Sequence, residues 1–123
     1  FSSALQTHLR AIDTRDFAAF ESTLTSGKTL TFVALDASVS TSTQEFAERM
    51  REWLRDTDWS WRREELVTHA NGETGVAVLR IAYSDRDSKG SPYQLNYVLS
   101  LVFAKEGSQW KLVHDQNTKL APR

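Results

Sequence analysis

The 123-residue sequence predicts an α+β fold: a cone-shaped, strongly curved, mainly antiparallel sheet of five to six strands packed on three N-terminal helices, in one domain over 1–123. Three observations carry this. Apolar residues recur at helical spacing only before Asp56. From Asp58 onward they alternate with period two, the mark of strands with one buried face. The alternating runs are about twelve residues long, beyond the usual ~5–6, and strands of that length must twist and bend.

The elements follow in order. Leu5, Leu9 and Ile12 share one helical face, and Phe17, Phe20 and Leu24 repeat the stripe. Between them Asp13-Thr14-Arg15-Asp16 supplies capping residues, and Gly27 is a stop for the second helix. Thr29–Leu35 is β-branched and apolar and reads as a strand. Asp36–Thr43 is small and polar, a turn or short edge strand. Ser42-Thr43-Gln44-Glu45 matches a capping box and opens a third helix. Phe46, Met50, Trp53 and Leu54 form its apolar stripe, while Glu45–Arg49, Glu48–Arg51 and Glu52–Arg55 occupy the other face. Trp59–Ala70 is a long strand closed by the turn Asn71-Gly72. Gly75–Ser84 follows, with Ala77, Leu79, Ile81 and Tyr83 on one face. Tyr93–Ala104 directs Tyr93, Leu95, Tyr97, Leu99, Leu101 and Phe103 one way and Gln94, Asn96, Val98, Ser100, Val102 and Ala104 the other. Gln109–Thr118 is the last strand.

Helices laid on the inner face of such a sheet leave a pocket at its open end. Val98 and Val102 make the outer face partly apolar, and a second subunit is its natural cover, so a homodimer through the sheet is expected. The net charge of −1 argues against nucleic-acid or membrane-surface partners, which need a basic excess. No apolar run approaches the ~20 residues that span a bilayer. With no cysteine there is no disulfide and no thiolate chemistry. The chain starts at Phe1, which fits a cleaved signal peptide or a cloned fragment, so the compartment stays open between cytoplasmic and secreted or periplasmic.

Leu9–Phe17, Thr43-Gln44-Glu45-Phe46 and Trp110–Thr118, in this element order, resemble the nuclear-transport-factor-2-like superfamily, which includes SnoaL-like and ketosteroid-isomerase-like domains. The resemblance covers nearly the whole chain and implies the cone fold. It implies no single activity, because that scaffold hosts isomerases, cyclases, dehydratases, transport factors and domains without known activity. Departures are visible. Gln116 stands where the closing motif often has His, and Thr118 replaces its small hydroxyl residue. The glycine usual after the first strand is absent from Ala37-Ser38-Val39-Ser40. The carboxylate base of ketosteroid-isomerase chemistry would fall near Phe32, with Asp36 able to replace it only after a four-residue shift. His8 falls where those enzymes keep an oxyanion-hole tyrosine.

Candidate proton-transfer residues are therefore His8, Asp36 and His114. His8 lies one residue from the first helical stripe, as a group at the pocket mouth or a solvated boundary histidine. Strict alternation puts His114, Gln116 and Thr118 on one face with Trp110 and Leu112, hence in the pocket, or on the rim of a dimer sheet. Asp115, on the opposite face, cannot partner His114. Asn96 is a candidate polar group in the middle of the sheet. Among the many aromatics, Phe20 and Trp53 are the expected pocket residues and Trp59, Trp61, Tyr83 and Tyr97 core. Asp85–Gly90 starts like a calcium loop but has Lys89 at a ligand position and Asn96 where a bidentate Glu is required, so it reads as a hairpin. His8, His69 and His114 show no metal-ligand spacing, and neither a metal nor a cofactor is expected. The expectation is a small, mostly apolar cavity for a small apolar or aromatic ligand. The alternatives are an isomerase, cyclase or dehydratase, or an association module.

Overall fold

The computed structural model describes residues 1–121. Three helices, α1 (Ser2–Thr14), α2 (Phe17–Glu21) and α3 (Thr43–Arg55), accompany six strands: β1 (Thr29–Val33), β2 (Val39–Ser42), β3 (Ser60–Asn71), β4 (Thr74–Arg86), β5 (Pro92–Glu106) and β6 (Gln109–Lys119). The strands form one curved, unclosed sheet in the order β2-β1-β6-β5-β4-β3. Every neighbouring pair is antiparallel except β1 with β6.

The helical stripes become the core. Leu5, Leu9 and Ile12 of α1 and Phe46 and Leu54 of α3 are buried against Ala77, Leu79 and Ile81 of β4 and Leu99, Leu101 and Phe103 of β5. Ser42 caps α3 by accepting from the Glu45 amide at 3.1 Å. Of the three ion pairs expected on its outer face only Glu52–Arg55 forms, at 3.0 Å. Arg49 and Arg51 instead lie over the rings of Phe32 and Phe17.

Two departures from the sequence pattern matter. The second helix ends at Glu21 rather than running to Gly27. Leu24 forms a bridge with Leu112, flanked by the bonds Thr25 N to Leu112 O and Leu112 N to Thr23 O. Pairing with β6 therefore outcompetes the local helical periodicity. The larger departure is in β6. Phe103 pairs with Leu112 and Val102 with His114, which leaves Val113 as an extra residue. Such a bulge shifts the alternation of everything after it by one position. Before it, Leu112 faces the helices; after it, Asp115 and Asn117 do, and His114, Gln116 and Thr118 pair with the outward Val102, Ser100 and Val98.

Arg15 locks the end of α1 onto the start of β3. It is the left-handed C-cap, with φ 56°. Its Nε donates to Asp56 O at 3.1 Å, its terminal nitrogen donates to Trp59 O, and its guanidinium sits 4.2 Å from the Trp59 ring centre. Two fixed carbonyls plus a ring face require a planar fork, which lysine lacks. Arg15→Lys is thus expected to lose about as much stability as Arg15→Ala, on the order of 1–2 kcal/mol in urea denaturation. A lysine variant as stable as the parent would show that only the charge matters.

Candidate functional site

Between α1, α3 and the concave face of the sheet lies a hollow of about 390 Å³. Its walls are mostly apolar or aromatic: Ile12, Phe20, Phe32, Trp53, Trp61, Tyr83, Tyr97 and Leu99. Asp36 and Arg49 stand on its exposed rim. Asp115 and Asn117 stand on its sheet side, brought there by the bulge.

The wall is held by hydrogen bonds at the polar ends of its rings. Trp53 Nε1 donates to the Tyr83 hydroxyl at 3.2 Å, and that hydroxyl donates to Asp85 at 2.6 Å. Trp61 Nε1 donates to Asp13 at 2.7 Å, and Arg63 pairs with the same carboxylate at 2.8 Å. Trp53 stacks on Trp59 at 4.2 Å between centroids. Trp53, Trp61 and Tyr83 therefore present apolar surface while their heteroatoms are occupied. Burial, together with Asp85, keeps the Tyr83 phenol well above its ordinary range.

Asp115 is 7% exposed, and its Oδ1 accepts from Asn117 Nδ2 at 2.9 Å. No described residue bonds its Oδ2. Burial pushes this carboxyl from 3.8 up to about 7, the Asn117 bond acting the other way. A group poised there can hold or release a proton near neutrality. Tyr97, on the neighbouring strand, is driven well above its usual range by burial and then by the nearby Asp115 charge.

The sequence-predicted site residues disperse. Phe20 and Trp53 line the hollow and Asp36 reaches its rim. Asp36 bonds Ser38, which holds its carboxylate below the usual range. Trp110 faces inward but packs on Phe1 at 5.5 Å, away from the hollow. That contact is possible because Gly75 has no Cβ, which would come within 2.8 Å of the Phe1 ring. Asn96 lies exposed on the outer face, opposite Ala82. His114, Gln116 and Thr118 are turned outward by the bulge, and His114 Nε2 bonds Gln116 at 3.1 Å. Asp115 and Asn117 were not among the candidates. Their one sequence signal is an acid and an amide two residues apart, able to bond each other on whichever face they share.

His8 is neither at the pocket mouth nor at a solvated boundary. It is completely buried, between Phe20 at 4.7 Å and Phe103 at 5.7 Å. The Thr23 hydroxyl donates to Phe20 O at 2.6 Å, so its oxygen must accept from His8 Nδ1 at 2.8 Å. The proton is thus on Nδ1, and Nε2 is a buried acceptor without a partner.

A family model for the SnoaL-like domain matches residues 2–118. The chain belongs to the SnoaL-like domain family. No curated protein matches it. Among solved structures, this SnoaL-like domain is similar to a candidate dehydratase of the nuclear-transport-factor-2-like family from Streptomyces avermitilis, with a TM-score of 0.81 and 14% identity over 98% of this chain and 94% of that one. A candidate calcium/calmodulin-dependent protein kinase type II association domain from Thiobacillus denitrificans gives 0.79 and 10% over the same shares. A ketosteroid isomerase-like protein from Erwinia carotovora atroseptica gives 0.78 and 13%, again over 98% and 94%. At such identities the likeness is one of fold alone.

Two buried titrating groups give the SnoaL-like domain an unusual pH response. Burial lowers His8 from 6.5 to about 3, so the unfolded chain takes up a proton the folded one refuses, and stability falls as pH drops through that range. Asp115 is raised, so the folded chain keeps a proton the unfolded one has released, and stability falls as pH rises from 3.8 to about 7. Between 3.8 and 6.5 the two slopes, each at most about 1.4 kcal/mol per pH unit, oppose one another. Relative to the parent, Asp115→Asn should steepen the loss of stability on acidification, and His8→Gln should make stability fall with rising pH. Urea titrations across that window check this; two variants with the parent's slope would refute it.

Proposed function

We propose that the cavity binds a small, predominantly apolar or aromatic molecule that offers a hydrogen-bond acceptor to Asp115. The observation that carries this reading is one half-bonded, buried carboxyl, which burial raises to about 7, inside a mostly apolar hollow. A volume of about 390 Å³ is in the range of small-molecule sites, ~300–1,000 Å³. That the hollow is not filled by its own side chains favours a ligand site over an association module.

Proton transfer is the second reading, and the same carboxyl favours it. In its ionised form Asp115 Oδ2 can take a proton from a carbon beside a carbonyl and return it to another carbon, which is isomerase chemistry, or hand it to a β-hydroxyl that leaves as water as its C–O bond breaks, which is dehydratase chemistry. Two structural relatives carry names of that kind. The titratable and charged groups that share the hollow with Asp115 include Tyr97, on the neighbouring strand and neutral near pH 7, and, at the rim, Asp36 and Arg49. An aromatic ketone should therefore shift the Trp53 and Trp61 indole signals in NMR titrations of the parent. Its affinity should fall at least tenfold in Asp115→Leu, and in the parent it should decline as pH rises past about 7. Unchanged affinity in the variant would remove Asp115 from the site.

We also propose that a second copy of the chain covers the outer face of the sheet. Val76, Val78, Val98 and Val102 lie half-buried there on the two adjacent strands β4 and β5. A twofold interface is self-complementary and would bury all four on both copies. Sedimentation should give a dimer for the parent and a monomer for Val78→Glu combined with Val98→Glu. A monomeric parent overturns this assignment.

A further inference from the structure

We infer that Asp115 and Asn117 act together as a two-point reader, selecting a neutral ring compound whose carbonyl is flanked by an N–H or O–H. This rests on the reading of the hollow as a ligand site and names the chemical class it takes.

The orientation of Asn117 is fixed by its partners. The Val33 carbonyl can only accept, so the Asn117 atom 3.0 Å from it is the amide nitrogen. The same nitrogen donates to Asp115 Oδ1 at 2.9 Å. Both amide protons are used, and the amide oxygen has no partner among the described residues. Since Asp115 Oδ1 accepts, a proton on that carboxyl belongs on Oδ2, which has no partner either.

Neither atom is sealed in. Among the described residues, the one buried side-chain polar atom that is both unpartnered and sealed from solvent is His8 Nε2. The amide oxygen and Oδ2 therefore remain accessible, on two residues that line the hollow. They belong to residues two positions apart on one face of β6, coupled through the Asn117 Nδ2 to Asp115 Oδ1 bond, which brings a donor and an acceptor to one stretch of the wall. The polar ring atoms of Trp53, Trp61 and Tyr83 are bonded to protein, while the Tyr97 hydroxyl, on the neighbouring strand, has no partner among the described residues and stays available to a ligand as well. A ligand with an acceptor next to a donor matches this pair. A ligand with the acceptor alone expels water from the Asn117 oxygen and offers nothing in return, which weakens binding substantially.

Three probes of one shape test this: oxindole, which has the adjacent carbonyl and N–H; the indanone in which a methylene replaces that N–H; and indane, which has neither. Titrations follow the Trp53 and Trp61 indole signals of the intact chain in mildly acidic buffer, where Asp115 carries its proton. Oxindole is expected to bind roughly tenfold more tightly than the indanone, and the indanone more tightly than indane. Asn117→Leu should reduce the first ratio to less than about twofold while keeping the second. The parent comparison needs no variant, so a misfolded Asn117→Leu leaves the test intact. Equal affinities for oxindole and the indanone in the parent overturn the two-point reading and leave the cavity as a ligand site. No signal change with any probe up to its solubility overturns both.

Discussion

A single extra residue in β6 determines which side of the sheet its polar groups occupy. With Val113 unpaired opposite the Phe103–Val102 step, Leu112 fills the core and Asp115 and Asn117 still face the helices. Without it, the inward row would continue through His114, Gln116 and Thr118, and the hollow would lose its only buried carboxyl among the described residues. Nothing else in the wall supplies a titrating group near neutrality. Trp53, Trp61 and Tyr83 are tied at their heteroatoms, and the rim charges, Asp36 and Arg49, lie at the solvent side. The bulge thus links backbone register directly to the chemistry available in the cavity.

The same interior holds two groups that ordinary proteins keep hydrated. A buried imidazole and a buried carboxyl each avoid the cost of an unpaired charge by staying neutral, which is why one is depressed and the other raised. They are not partners. His8 belongs to the tightly filled end of the core with Phe20, Phe103 and Thr23, whereas Asp115 opens on the hollow. The former can serve only packing and a hydrogen bond; the latter has a free oxygen.

Much of the fold was legible because hydrophobic period is a local property. Three helical stripes, four long strands, the Ser42 cap and the Asn71-Gly72 turn can each be read within a dozen residues. Phe20 and Trp53 reached the cavity for the same reason, being the large residues on stripes that had to face the sheet. What failed was non-local. Leu24 continued a helical stripe yet was claimed by Leu112, far along the chain. Val113 carries no mark of a bulge, being β-branched and fully suited to a regular strand. Strict alternation therefore misassigned every residue beyond it. His8, one position off its stripe, is enclosed because the segment carrying Thr23 folds back over that flank of α1.

The parallel pairing of β1 with β6 has a kinetic meaning. Thr31 lies beside His114 and Asn117 reaches Val33 across 84 positions of chain, so the polar corner of the hollow is a contact between the two ends of the sequence. Hairpins such as β3–β4 and β4–β5 close over short loops and can assemble early, but this corner, like the Leu24–Leu112 bridge, needs a closure over most of the chain, which costs more entropy. The corner therefore forms only once β6 has docked beside β1, and a chain interrupted before its last strand lacks both Asp115 and Asn117.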